Sequence, residues 1–532
     1  MTKKLSSVTW VLLEGTAMKI YFRKNLLFWV TLAVLAFFFI LSARGMAFNE
    51  WVITLLRGLS VGSVTFLVAS GFSLIFGLLD VLNLAHGTLF MIGAYIGWTV
   101  FVRPDTFVDL IPLLAIFFSG FLLSGLWLGL STRLPAGRLR RTLPWVALLL
   151  SAGMLVLVLL HYPVSGWNLK VFSETPGTYA FMADQGLLVL PAGKPFEMSP
   201  ALVLGGILLT GMVAAFGISG FNRSRVQAGR QILNWRQYAA FLLILGTGLL
   251  VYFYNDALTE FLTSMNTSWL FLIAVVVTTL SGVAIGALME STLIRPLYSR
   301  PIYQLMLTLG LSAIGIEIVR AIWGRPEFIM PKPALFSGTG DGCPATSLGD
   351  WLSHQCSTFL LMGGRVRVYN EVFIPLVGVL VLVGVWLLLK RTRLGMIIRA
   401  GVQDHQMVEA LGINVRRVFT LVFALGVGLA ALGGVLAAPS MGLSNAMGES
   451  LFLNALIALA IGGLTSYPGA AFGSLLVGLI QQMIIKYGAI GIPIPFTEIV
   501  FKPTPPLVPA STVLLMVVIL LILPHGLLGR KE

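Results

Sequence analysis

Long apolar runs follow one another closely along this chain, and they limit what it can fold into. A helix needs roughly 20 mostly apolar residues to cross a bilayer, and the run 26–43 has eighteen residues without a charge. Roughly fourteen runs approach this length, which predicts an all-α polytopic membrane protein with about 14 transmembrane helices. The runs are 26–43, 51–79, 81–102, 108–131, 143–162, 201–221, 238–254, 269–289, 303–323, 373–389, 418–438, 451–464, 469–485 and 511–523.

The composition excludes a soluble protein of this size. Of the 532 residues, 57% are hydrophobic and 11% are charged, whereas soluble domains have about 25% charged residues. So few charges cannot cover a water-facing surface, and lipid must therefore be the outer solvent. The net charge of +14 does not indicate a nucleic-acid partner, because it is concentrated in short loops between the apolar runs.

The basic loops predict the topology. Lys and Arg are enriched in the segments 1–25, 132–142, 222–237, 290–302 and 390–417. Simple alternation of the spans places all of these segments on one side, and basic loops face the cytoplasm. The N- and C-termini are therefore predicted to be cytoplasmic. Topology and lipid contact are enough to explain these arginines without a bound ligand.

Both cysteines lie in the loop 324–372, which the same alternation places outside. Cys343 and Cys356 are thirteen residues apart, and an extracytoplasmic compartment permits a disulfide between them. Such a bridge would brace the loop. The chain has no Cys/His spacing of the kind that binds a metal.

Ionisable and polar residues inside spans are costly and are therefore candidates for function. Glu317 and Arg320 are three apart and share a helix face, so they can pin the helix as an ion pair or line a transport path. Asp80, Asn83 and His86 lie where two spans almost touch, which suggests a broken helix. A structural turn and a permeation-path element both remain open there.

Small residues recur four apart in several spans, a spacing that lets helices pack closely in lipid. Three such ladders are Gly58 with Gly62, Gly426 with Ala430 and Gly434, and Gly469 with Gly473.

The segment 399–417 is the one predicted cytoplasmic loop with a helical pattern. Met407, Val408 and Leu411 share an apolar face. Asp404 is placed to cap a short helix and Gly412 to end it. Such a helix can lie at the membrane surface or dock into a groove of a partner.

This segment resembles the cytoplasmic coupling loop of permeases from branched-chain amino-acid ABC importers. The matching residues are Arg399, Ala400, Asp404, Gly412, Ile413, Asn414 and Arg417, and Glu409 and Ala410 with Gly412 resemble the broader signature of import permeases. Further matches, in family order, are 71–77 running into 83–87, 290–297, 460–470 and 523–529. The resemblance covers roughly residues 51–102 and 269–530.

The resemblance implies a division of the chain. Residues 51–102 and 269–532 correspond to two parts of a permease core, and residues 1–50 add an N-terminal span. Residues 103–268 then form an inserted four-span segment. Thr88 and Glu317 depart from the family's usual residues.

The resemblance also implies a function, which is that of a transmembrane permease subunit moving branched-chain or related amino acids inward. The resemblance implies that the subunit is not itself an enzyme and binds no cofactor. It carries no G-x-x-x-x-G-K-[ST] sequence, which is the P-loop signature of ATPases. The ATP would be used by the partner subunits. The implied partners are a second permease, two cytosolic ATPase subunits and an extracytoplasmic substrate-binding protein, assembled at the bacterial inner membrane.

The expected site residues fall into two groups. Those expected to couple to the ATPases are Arg399, Asp404, Glu409, Ala410, Gly412, Asn414 and Arg417, and those expected along the substrate path are Asn83, His86 and Glu317. The alternative hypothesis is an ion- or proton-coupled secondary transporter of small polar solutes, with Glu317 as its coupling carboxylate.

Overall fold

The computed structural model describes residues 26–41, 43, 45–132, 138–164, 198–221, 235–324, 327–493 and 500–529. The predicted basic segment 1–25 and most of the predicted basic loop 222–237 lie outside the described residues.

The first half of the chain forms a series of helices. They are α1 (Leu26–Leu41), α2 (Phe48–Leu79), α3 (His86–Val102), α4 (Pro104–Leu122), α5 (Ser124–Thr132), α6 (Arg138–His161), α7 (Pro200–Phe221), α8 (Trp235–Phe253), α9 (Asn255–Ser264) and α10 (Thr267–Met289). A π-helical turn, Glu290–Ile294, and a 3-10 turn, Arg295–Leu297, follow α10 directly.

The second half adds nine helices and two small hairpins among the described residues. The helices are α11 (Pro301–Trp323), α12 (Leu348–His354), α13 (Ile374–Arg391), α14 (Arg393–Gln403), α15 (His405–Ala410), α16 (Val415–Met441), α17 (Met447–Gly462), α18 (Tyr467–Ile490) and α19 (Leu507–Ile522). The strands β1 (Thr358–Leu361) and β2 (Gly364–Arg367) pair antiparallel, as do β3 (Ile492–Pro493) and β4 (Val500–Phe501).

The helices confirm the predicted class of an all-α polytopic membrane protein. Among the described residues, 10 helices are long and apolar enough to cross a membrane, and three shorter apolar helices accompany them. The predicted count of about fourteen spans and the orientation of the termini stay predictions.

The contacts divide the chain into two compact units. One consists of Met1–Gly97, Val275–Glu317 and Glu327–Glu532, and the other of Trp98–Ala274 and Ile318–Pro326. Within the first unit, α2 packs against α13, α16, α17 and α18. Within the second, α4 packs against α7 and α8 around Ile116 and Ile207. The second unit includes residues 103–268, whose assignment as an insertion stays a prediction.

The glycine ladders lie at helix crossings, as predicted. A Cβ added to Gly62 in α2 would lie 2.9 Å from the carbonyl oxygen of Ser474 in α18, and one added to Gly426 in α16 would lie 2.7 Å from that of Gly71 in α2. Backbones can approach this closely only where side chains are absent.

One predicted span is two helices. The run 108–131 falls on α4 and α5, which are separated at Leu123. In a continuous helix the carbonyl of Gly120 would accept from the backbone N–H four residues later, and the break removes this hydrogen bond. The indole N–H of Trp127 donates to this carbonyl at 2.8 Å instead. A side chain thus satisfies the backbone acceptor that the break exposes.

Residues 327–372, the described part of the loop 324–372 after Gly324, form a small ordered structure held by a disulfide. Cys343 and Cys356 are bonded, with their Cα atoms 5.5 Å apart. The N–H of Thr346 donates to the carboxylate of Asp350 at 2.9 Å, and this hydrogen bond lowers the pKa of that carboxyl. Phe336 packs against Tyr369 and Phe373 in the π-helical turn just before α13.

Removing the disulfide should loosen this loop and leave the spans intact. For a crosslink closing thirteen residues, the expected loss of local stability is about 3 kcal/mol. Serine at both cysteines should therefore speed chymotrypsin cleavage after Trp351 or Leu352, which lie inside the crosslinked segment, on the order of 100-fold. Limited proteolysis followed by mass spectrometry measures this. Cleavage at the wild-type rate would show that other contacts hold the loop.

Candidate functional site

The chain turns back on itself between α2 and α3. Asp80 ends α2 in the left-handed region, with φ 53°, and its N–H donates to the carbonyl of Phe76. Residues 80–85 are not helical, and His86 then begins α3 with its Nε2 3.1 Å from the carbonyl oxygen of Val68. At 1.5 Å per residue, Val68 lies about 16 Å before the end of α2. The segment 80–85, called here the re-entrant segment, therefore runs back beside α2.

The predicted path residues Asn83 and His86 are fully buried at this turn. The side-chain oxygen of Asn83 accepts from the N–H of Ala85 at 3.1 Å, an Asx turn that shapes the segment. The ring of His86 packs edge-on to Phe72, with centroids 5.8 Å apart. Asn83 Nδ2 and His86 Nδ1 have no hydrogen-bond partner among the described residues. The broken helix predicted here is confirmed.

Helix α11 supplies hydroxyl partners that the sequence did not reveal. Thr308 accepts from the backbone N–H of Leu84 at 3.2 Å, and Ser312 is hydrogen-bonded to Thr88 at 2.6 Å. The hydroxyl of Thr88 thus pairs with a hydroxyl of α11. These contacts join α11 to the start of α3.

The third predicted path residue, Glu317, lies in a different environment. It is exposed on α11, whereas Asn83 and His86 are fully buried. The structure therefore does not gather the three residues into one cluster. Arg320 follows one turn later on the same helix.

The predicted coupling segment is a capped helical element. Asp404 ends α14 and caps α15, because its side-chain oxygen accepts from the N–H of Met407 at 3.0 Å. Asn414 caps α16 in the same way by accepting from the N–H of Arg417 at 3.2 Å. Each cap satisfies a backbone donor that a helix start leaves unpaired.

Gly412 ends α15 in a Schellman motif. Its φ is +82°, a conformation that residues with a Cβ rarely adopt. The N–H of Gly412 donates to the carbonyl of Glu409 at 2.9 Å, and the N–H of Ile413 donates to that of Val408 at 3.3 Å. This pair of bonds defines the motif. The pattern of Asp, Gly and Asn in this segment therefore sets its backbone shape.

The apolar face predicted for this element is divided. Val408 is buried, whereas Met407 is 62% exposed and Leu411 is 73% exposed. Glu409 and Ala410 are also exposed. The element thus anchors itself through Val408 and leaves two large apolar side chains uncovered beside a carboxylate.

A buried charge cluster at the end of α10 was missed as a site by sequence reasoning. Glu290 is fully buried, and Arg295 donates to its two carboxylate oxygens from Nε and Nη2, at 3.1 and 2.7 Å. The hydroxyl of Tyr298 also donates to Glu290, at 2.9 Å. The sequence signal that could have indicated this site is an acidic and a basic residue five positions apart at the end of a predicted span.

A second buried carboxylate, Glu371, lies just before α13. Arg57 of α2 contacts it at 3.1 Å, and the backbone N–H of Arg367 donates to it at 2.9 Å. The segments 327–330 and 438–444 line a cavity of about 310 Å³. This volume is at the lower end for small-molecule sites. None of the three predicted path residues lines it.

The described residues do not present the usual catalytic or metal-binding arrangements. Gly58, Ser60 and Gly62 have the G-x-S-x-G spacing of esterase nucleophiles, but they lie within the continuous helix α2, without the strand-to-helix turn that exposes such a serine. No group of three or more His, Cys, Asp or Glu residues that could hold a metal occurs in the described part of the chain.

The family described as branched-chain amino acid transport system, permease component, matches residues 54–185 and 238–523. No solved structure matches the chain.

Individual relatives include the high-affinity branched-chain amino acid transport system permease protein BraD of Pseudomonas aeruginosa. It is 33% identical over 172 residues, which are 32% of this chain and 51% of the relative. Permease protein LivH of Salmonella typhimurium, of the same description, is 27% identical over 271 residues, or 50% of this chain and 78% of the relative. The galactofuranose transporter permease protein YtfT of Escherichia coli is 30% identical over 192 residues, 33% of this chain and 53% of the relative. The chain thus spans about half the length of two of these relatives.

These similarities support the import-permease hypothesis and not the ion-coupled alternative. They agree with the helices in describing a multi-pass membrane protein, which in bacteria lies in the inner membrane. Because the family match covers more than half of the sequence, this chain belongs to the family of branched-chain amino acid transport system permease components.

Proposed function

We propose that this chain is the permease subunit of an ABC importer that moves branched-chain or related amino acids inward. ATP is hydrolysed by two cytosolic ATPase subunits, and a second permease subunit completes the pathway. An extracytoplasmic binding protein delivers the substrate. Both termini and the segment 399–417 face the cytoplasm in this assembly.

The observation that carries the proposal is the shape and surface of the segment 404–414. Three caps hold its backbone, and Met407 and Leu411 project from it uncovered. Exposed apolar side chains on a rigid element suit a groove in a partner protein. A water-soluble ATPase that binds there can push on the permease during its own closure.

The substrate class rests on the descriptions of the relatives. BraD and LivH are described as branched-chain amino acid permeases, whereas YtfT is described as a galactofuranose permease. The longer match to LivH favours an amino acid. Asn83 and His86 act in this proposal by shaping the re-entrant segment near the path.

The outer partner is assigned to the loop 324–372. Its disulfide and hairpin give it a fixed shape, and Leu348, Leu352 and Met362 are exposed on it. Arg365 and Arg367 lie in the same hairpin. We therefore place the binding protein here, with an acidic rim facing the arginines.

Co-purification tests the assembly. The tagged chain, expressed with its operon and extracted in mild detergent, should bring down two ATPase chains, a second permease and no nucleic acid. Reconstituted with the binding protein, it should accumulate radiolabelled leucine only when ATP is supplied. A chain recovered alone, or uptake driven by a proton gradient without ATP, contradicts the proposal.

Glutamate at Leu411 should weaken the ATPase contact specifically. Burial of a leucine contributes about 1.5–3 kcal/mol, so the Leu411→Glu variant should recover at least about tenfold less ATPase at limiting concentration. The matched control is Leu352→Glu, since Leu352 is 61% exposed but lies in the loop 324–372. The control should keep ATPase recovery normal, and equal recovery for both variants would move the docking surface elsewhere.

A further inference from the structure

The Glu290 cluster connects two parts of the molecule that the proposed function requires to move together. Glu290 begins a π-helical turn at the end of α10. Such turns are rare and occur frequently at functional sites. The carboxylate accepts from Arg295 at both oxygens and from Tyr298, so its buried charge is fully satisfied.

On one side, the cluster reaches the helix that follows the coupling segment. Nη2 of Arg295 donates to the hydroxyl of Thr420, and that hydroxyl donates in turn to the carbonyl of Arg416 at 2.9 Å. Tyr298 also packs edge-on to Phe419, with centroids 6.2 Å apart. These contacts lie in the first two turns of α16, which Asn414 caps directly after the Schellman turn.

On the other side, the same turn packs against the re-entrant segment. Met289 and Ile294 belong to one buried cluster with Val81 and Ala85. Phe423 of α16 belongs to this cluster too. The turn 290–298 is therefore bonded to the helix that leaves the coupling segment and packed against the segment that carries Asn83.

We infer that Glu290, Arg295 and Tyr298 form a clamp that transmits movement of the coupling segment, through Thr420, to the re-entrant segment. The clamp residues are positioning residues and do not contact substrate. A guanidinium joined to a carboxylate by two hydrogen bonds is a rigid unit, so displacement of α16 at Thr420 shifts the turn and the apolar side chains packed on it. This inference rests on the proposed function.

The variant Thr420→Val tests the clamp with the smallest possible change. It removes the hydroxyl that receives Arg295 and keeps the size of the side chain and the Glu290–Arg295 pair. In proteoliposomes with the ATPases and the binding protein, we expect leucine transported per ATP hydrolysed to fall about tenfold, as for loss of one charge-assisted hydrogen bond. ATPase recovery and thermal unfolding should stay close to wild type.

Two further variants separate transmission from simple stability. Thr420→Ser keeps the hydroxyl and should restore the ratio of transport to hydrolysis. Thr279→Val is the control, because the Thr279 hydroxyl of α10 donates to Val275 within its own helix, and its ratio should be normal. An unchanged ratio in Thr420→Val, or an equal fall in Thr279→Val, overturns the clamp while wild-type transport stands. A wild-type complex without ATP-dependent transport overturns the proposed function and the clamp together.

Discussion

Replacing Gly412 with valine should separate ATP hydrolysis from transport. Gly412 has φ +82°, and a β-branched residue there carries about 2 kcal/mol of backbone strain. The strain opens the Schellman turn, so Met407 and Leu411 lose their fixed positions. Leucine uptake by the reconstituted complex should fall at least about tenfold, while membrane insertion, measured by yield and by elution as a single species, stays normal.

Two variants make this result specific to the turn. Gly412→Asn should retain most of the uptake, because asparagine tolerates the left-handed conformation. Gly246→Val is the control for adding a valine, since a Cβ at Gly246 meets nothing within 4 Å and its helix α8 lies outside both proposed docking surfaces. Full uptake by Gly412→Val would show that the conformation of this turn is not needed for coupling.

Hydropathy predicts this fold well because lipid imposes one solution on the backbone. Every apolar run falls on helical structure, although the run 108–131 is divided between α4 and α5, and the ends agree within a few residues in cases such as α7 and α11. The start of α3 differs, because residues 81–85 are apolar except for Asn83 and are not helical. Hydropathy cannot separate a buried extended segment from a helix; the Asn and His residues in the run gave the signal for a break.

The sequence also predicted the helix caps of the site, which depend on residues close together in the chain. It did not predict the contacts between residues that are far apart in the chain. Asp404 and Gly412 act within a few residues of themselves, so their roles as cap and stop follow from the sequence. Arg57 and Glu371 are 314 residues apart, and Arg295 and Thr420 are 125 apart. No local pattern indicates such pairs, because only the packing of α2, α10, α13 and α16 brings them together.

Replacing Gly478 with valine should have the largest effect on stability. Gly478 lies in α18 where this helix crosses α2, and an added Cβ would overlap the carbonyl oxygen of Gly58 and lie 2.8 Å from the Cα of Gly62. Backbone atoms on both sides cannot give way as a flexible side chain can, so the helices must separate. Overpacking of this kind costs about 3 kcal/mol or more.

The Gly478→Val protein should fail to fold. A valine substitution at a helical glycine away from the crossing of α2 and α18 shows whether the crossing is the cause. Size-exclusion profiles and thermal unfolding in detergent should show Gly478→Val as aggregated or as melting well below wild type. Gly384→Val in α13 should behave as wild type, because an added Cβ there meets nothing within 4 Å. If both variants unfold at similarly lowered temperatures, the low helix-forming tendency of valine relative to other residues is the cause. If only Gly478→Val fails, the close approach of α2 and α18 is what the small residues preserve, and the ladder at Gly58 and Gly62 is required for folding.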